Sequence, residues 1–97
     1  MPIMELISFA RSGDQEAFTS LMRSHEGGIQ SFCRRFTKKP DDAEDLVLET
    51  FVEAYLKLNQ LRNSEAIAHW LRSIARNLCR SWYRKQRMGS PSFSSDP

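Results

Sequence analysis

The chain has 97 residues, of which 40% are apolar, 10% aromatic and 27% charged, and its formal net charge is +2. This is the composition of a soluble globular chain with one small domain and one modest core. The sequence contains no secretory or lipidation signal and no apolar run long enough to span a bilayer, which argues against membrane residence. The small net charge conceals a division along the chain. Asp41, Asp42, Glu44, Asp45, Glu49 and Glu53 crowd one segment against Lys57 alone, while five arginines and Lys85 crowd residues 64–87 against Glu65 alone. Such asymmetry points to two different partners rather than to one overall field.

Strand signals and internal repeats are absent, so the expected fold is all-α, a small bundle of three to four helices over about residues 3–12, 14–37, 41–59 and 64–87. Met4 to Ser12 forms a short first helix ended by Gly13, and Asp14 is placed to N-cap the second. Phe18, Leu21, Met22, His25, Ile29, Phe32, Cys33 and Phe36 then keep helical spacing. Gly27 and Gly28 interrupt this run, each at about 1 kcal/mol relative to alanine, and admit a kink or a close helix approach. Pro40 closes the next connection, and Asp41 with Glu44 reads as a capping box, aspartate standing for the usual Ser or Thr.

The third helix is expected to run to about Asn59. Ala43, Leu46, Val47, Thr50, Phe51, Ala54 and Leu58 cover one face, while Leu48, Val52 and Leu56 fall well away from it, beside Asp45, Glu49 and Glu53. The second apolar strip is either a second buried face or a surface that meets a partner. Acids in the first turn are accounted for by the helix dipole, at about 0.3–1 kcal/mol each. Glu49 and Glu53 lie beyond that turn, as expected where a helix docks against a basic protein surface.

Residues 60–64 form a short polar connection, with Ser64 as the expected N-cap of the last helix. There Arg72, Arg76, Arg80 and Arg84 recur every four residues, opposite Ile67, Leu71, Ile74, Leu78 and Trp82. His69, Tyr83 and Arg87 fall on the arginine side. Each successive arginine pair is a like-charge i,i+4 pair, destabilising by about 0.2–0.5 kcal/mol, and no acid within the helix offsets it. A polyanion-binding face explains that arrangement. The expected core draws on Phe18, Leu21, Phe32, Leu46, Phe51, Leu71, Ile74 and Leu78. Residues 1–88 read as one domain, and the Ser/Pro-rich segment 89–97 as a linker or disordered tail.

Cys33 and Cys79 share no short spacing with each other or with His25 and His69, so neither a zinc motif nor a disulfide framework is suggested. A reduced, cytoplasmic protein is the simplest reading. No Ser/His/Asp set, glycine-rich phosphate loop or carboxylate pair with a base points to an enzyme, a metal or a cofactor. From charge and periodicity alone, a helical protein-interaction adaptor and a nonspecific nucleic-acid binder both remain open.

The run Asp42-Ala43-Glu44-Asp45-Leu46-Val47-Leu48-Glu49-Thr50-Phe51, followed by His69-Trp70-Leu71-Arg72-Ser73-Ile74-Ala75-Arg76-Asn77, resembles domain 2 of bacterial extracytoplasmic-function (ECF) sigma factors. The similarity extends from about Asp14 to Arg87, and Leu48 stands where the family usually has glutamine. The resemblance implies a transcription-initiation subunit. Its acidic helix would bind the β′ clamp helices of RNA polymerase core through Asp45, Leu48, Glu49, Val52, Glu53 and Leu56. Its basic helix and the preceding loop would engage the minus-ten promoter element, mainly the non-template strand. The residues for that role are Arg62, Asn63, Ser64, His69, Arg72, Ser73, Arg76, Asn77, Arg80 and Arg84, with Ser73, Arg76, Asn77 and the loop placed for base selection. The resemblance also admits an anti-sigma factor as a partner.

Overall fold

A computed structural model describes residues 3–88 of the chain. Four α-helices make up the fold: α1 (Ile3–Arg11), α2 (Gln15–Phe36), α3 (Pro40–Leu56) and α4 (Ile67–Met88). Short 3-10 turns at Leu58–Gln60 and Ser64–Ala66 join the last two. Among the described residues there is no strand, and no helix is long and apolar enough to cross a membrane. The all-α bundle expected from periodicity is therefore the observed architecture. The segment 89–97, expected to be a linker or tail, lies outside the described residues.

Helix boundaries follow local chemistry. Gly13 takes φ +100°, and its N–H bonds to the carbonyl of Ala10 while that of Asp14 bonds to Phe9, a Schellman closure that stops α1. Asp14 then turns its carboxylate onto the N–H of Ala17 at 3.1 Å and caps α2, as its position predicts. α2 continues through Gly27 and Gly28, where an added Cβ would meet nothing within 4 Å. Those glycines therefore mark no close helix approach. At the far end the N–H of Thr37 bonds back to Cys33.

Three expected boundaries differ. α3 starts at Pro40 with Lys39 as its cap residue, so Asp41 sits inside the first turn and makes no capping box. Proline is suited to that first position, where its missing N–H has no helical partner in any case. α3 also stops at Leu56 rather than near Asn59, because Lys57 leaves helical geometry and the chain tightens into a 3-10 turn. At the last helix the cap is Asn63, not Ser64. Its side-chain oxygen accepts from the N–H of Glu65 at 3.0 Å, starting a 3-10 turn that becomes α4 at Ile67.

α2 is central and packs against α1, α3 and α4, while α3 also packs on α4 and α1 reaches the Ser64–Ala66 turn. Leu21, Leu46, Leu71 and Ile7 are among the largest fully buried side chains, and Phe18, Phe32, Phe51, Ile74 and Leu78 pack around them partly exposed. On α4 the most deeply buried line is Ile67, Leu71, Ala75 and Cys79, at intervals of four. It is rotated from the expected stripe because small side chains at Ala75 and Cys79 let α4 lie close to its neighbours, leaving Ile74, Leu78 and Trp82 to flank the contact. Cys79 meets Cys33 of α2 with sulfurs 3.9 Å apart, both thiols free and buried. Spacing along the chain gave no hint of this pair. The thiol of Cys79 donates to Cys33; that bond, with burial, pushes Cys79 far up from the usual range, while on Cys33 the accepted bond outweighs burial and holds the thiol below it.

Candidate functional site

The two strips of α3 separate cleanly. Ala43, Leu46, Val47, Thr50 and Ala54 are buried, and the hydroxyl of Thr50 is satisfied inside the core by the carbonyl of Leu46 at 2.7 Å. Leu48, Val52 and Leu56 are exposed at 63%, 51% and 69%, and Tyr55 beside them at 48%. The second strip is thus an outer surface. Asp45 and Glu49 are exposed along it and Glu53 is partly covered, its carboxylate held by Lys57 at 2.8 Å. The strip is thus an exposed apolar row, Leu48, Val52 and Leu56, edged by acids, while Tyr55 beside it packs edge-on against Phe18 at 5.1 Å.

That surface continues into a groove of about 300 Å³ between α3 and α2, where Glu44, Leu48 and Phe51 face Glu26, Gln30 and Arg34. The three α2 residues were not legible as site residues, because helical period gives faces within a helix and not which helix stands opposite.

On α4, Arg72, Arg80 and Arg84 are exposed and Arg76 is partly covered. Among the described residues the one salt bridge is Glu53 with Lys57, so no carboxylate among them pairs with an arginine of α4. Twelve residues separate Arg72 from Arg84, about 18 Å at ~1.5 Å per residue. His69 and Asn77 are exposed with them, and Ser73 is partly covered, its hydroxyl donating back to the carbonyl of His69 at 3.1 Å.

The loop ahead of α4 is held from beneath by Leu58, Leu61 and Ile67, all buried, which leaves Arg62 and Asn63 exposed above them. Asn63 is partly committed. Its side-chain oxygen caps the turn and its main-chain carbonyl accepts from Ala66 at 2.9 Å, so what it offers a ligand is its amide N–H pair. Asn77 lies ten residues beyond the start of α4, about 15 Å along the axis. The structure therefore does not bring Asn63 and Asn77 to one place.

Comparison with known proteins decides the family. The model of the family Sigma-70 region 2 matches residues 21–88, which covers α4 and α3 entirely and most of α2. The chain belongs to the sigma-70 region 2 family, of the ECF type. It is 30% identical over 87 residues to the ECF RNA polymerase sigma factor SigW of Bacillus subtilis (strain 168), covering 90% of this chain and 46% of that protein. It is 31% identical over 91 residues to the ECF RNA polymerase sigma-E factor of Escherichia coli (strain K12), covering 94% of this chain and 47% of the relative. A probable RNA polymerase sigma factor, RfaY of Xanthomonas campestris pv. campestris, shares 31% identity over 78 residues, which is 80% of this chain and 20% of that protein. The chain thus spans about half the length, or less, of these relatives. No solved structure matches it.

Proposed function

We propose that this region 2 chain is the part of an RNA polymerase sigma factor that joins core polymerase to the minus-ten element and holds that element open. The observation that carries the reading is the pair of oppositely charged outer faces on adjacent helices: an acid-edged apolar strip on α3 and, on α4, an arginine row that no described carboxylate pairs with. The strip supports docking through Leu48, Val52 and Leu56 onto the β′ clamp helices, with Asp45, Glu49 and Glu53 toward their basic side chains. The α4 row spans about five phosphates of one strand at ~3.4 Å each, and such contacts place DNA without naming bases.

Base selection falls to the groups between the cations. Asn63 with Arg62 and Ser64 at the loop, and Ser73, Arg76 and Asn77 on the helix, present amide, hydroxyl and guanidinium donors to base edges, with His69 beside the loop end. Capture of an unstacked base there offsets part of the few kcal/mol needed to flip it out. Trp70, partly buried at the border of the core, supports the melted junction from below.

The test pairs two measurements on the chain, capture of core RNA polymerase and binding of single strands of different sequence. Reversal of Glu49 and Glu53 to lysine should weaken core capture at least tenfold and leave helicity by circular dichroism at its wild-type level. Full core binding by that double variant rejects the α3 assignment, and binding of every strand with equal affinity reduces α4 to a nonspecific nucleic-acid face.

A further inference from the structure

Two nucleophilic side chains in the core have no part in the reading above. Cys33 of α2 and Cys79 of α4 are free thiols, both 0% exposed, with sulfurs 3.9 Å apart. A core needs small side chains where helices lie close, but Ala75 meets that need one turn earlier on the same line of α4 without a sulfur. A structural zinc does not account for the pair either. Zinc takes four ligands, and among the described residues no three of His, Cys, Asp and Glu stand together.

The pair is placed for covalent closure. The sulfurs are already in contact, and a bond of about 2.05 Å asks each to move by only about 1 Å. The thiol of Cys79 points its proton at Cys33, and that accepted bond holds Cys33 below the usual thiol range, which makes Cys33 the readier nucleophile. Solvent comes near along the seam between the helices. Phe36, one turn beyond Cys33, lines an open cleft with Arg80, the neighbour of Cys79, and Phe32, the residue before Cys33, lines another with Arg72. Both helices are also weakened close by. Gly27 and Gly28 serve no close approach yet stand about a turn and a half before Cys33, and Arg76 and Arg80 flank Cys79 as a like-charge pair. Such segments open without global unfolding, and a reagent little larger than water needs only a small opening.

We infer that Cys33 and Cys79 form a two-electron oxidation site for hydrogen peroxide, closing to a disulfide that ties α2 to α4. The sulfur of Cys33 attacks one peroxide oxygen, the O–O bond breaks, and the departing oxygen leaves as water with the Cys33 proton, giving a sulfenic acid. The sulfur of Cys79 then attacks that of Cys33, the S–O bond breaks, and hydroxide leaves with the Cys79 proton as a second water. The two thiols together lose two electrons and the peroxide gains them. Contact with Cys79 ends the oxidation at the disulfide rather than at sulfinic acid. The new bond joins positions 46 apart and encloses all of α3, so the oxidised chain resists unfolding. None of these steps depends on what α3 or α4 binds.

The whole chain is treated with a small excess of hydrogen peroxide under native conditions, and mass spectrometry follows the cysteines together with Met4, which is 60% exposed. Both free thiols should be lost within single chains, with a cross-linked Cys33–Cys79 peptide and a melting midpoint raised by about 10 °C or more, all reversed by dithiothreitol. In Cys79→Ala, Cys33 should stop at sulfenic acid and be captured by dimedone; the wild-type readouts stand whether or not that variant folds. Thiols that stay intact while Met4 is already sulfoxide overturn the site, because peroxide has then reached the chain and passed the pair by. A disulfide that forms only in denaturant, or only between two chains, overturns it equally.

Discussion

Two neighbouring helices of this molecule differ in how burial constrains them. α4 has one apolar side, so packing fixes its orientation and everything opposite is free to be cationic. α3 is apolar on two sides, and only the packed structure decides which is core. Leu46 and Leu48, two positions apart, end at 2% and 63% exposure. A helix with one apolar face thus displays its outer surface in its sequence, whereas a helix with two conceals it until its neighbours are placed.

The largest expected effect tests that contrast directly. Leu46→Ala removes a fully buried side chain and should cost about 2–5 kcal/mol in chemical denaturation. Leu48→Ala should stay within about 0.5 kcal/mol of wild type while weakening core polymerase binding. A denaturation loss at Leu48 as large as at Leu46 would mean that the outer strip is core after all.

Much of the fold was legible because its determinants are local. Asp14 caps where its position predicts, and Gly13 stops α1. The errors share a cause in turns whose geometry competes with capping preference: Pro40 moved the start of α3 ahead of Asp41, and a 3-10 turn let Asn63 cap in place of Ser64. Contacts between helices were not legible at all. Nothing in the spacing of Cys33 and Cys79 says that they touch, and nothing in the polar positions of α2 says that Arg34 faces α3 while Arg35 faces α4.

A second experiment sharpens the contrast within the proposed DNA face, between groups proposed to read bases and groups proposed to hold phosphates. Asn63 both caps a turn and is proposed to touch a base. Asn63→Ala should lower stability by about 1 kcal/mol, whereas Asn63→Ser, which keeps a capping oxygen, should lose only a few tenths. Both should erode discrimination between cognate and singly altered minus-ten strands by about 1–3 kcal/mol, since both lack the amide. Arg80→Ala and Arg84→Ala should instead weaken all single strands alike, with a log–log salt slope shallower by about 0.7 per lost contact. Discrimination that survives in Asn63→Ser and fails in Asn63→Ala would assign Asn63 to the turn alone.

The smallest expected effect concerns where the acidic face of α3 ends. Glu53 is bonded to Lys57 at 2.8 Å, with the side chains 33% and 46% exposed respectively, so it enters any complex already partly neutralised. An i,i+4 pair of this kind contributes about 0.3–0.5 kcal/mol. Lys57→Ala should therefore leave the denaturation midpoint nearly unmoved. It should also release Glu53 toward a basic partner and strengthen core polymerase binding about twofold at low salt, an advantage that added salt removes. If affinity stays at the wild-type value in low salt, Glu53 lies outside the contact and the docking face stops at Glu49. If it falls, Lys57 itself touches the partner and the electrostatic match assumed for this end of α3 is reversed.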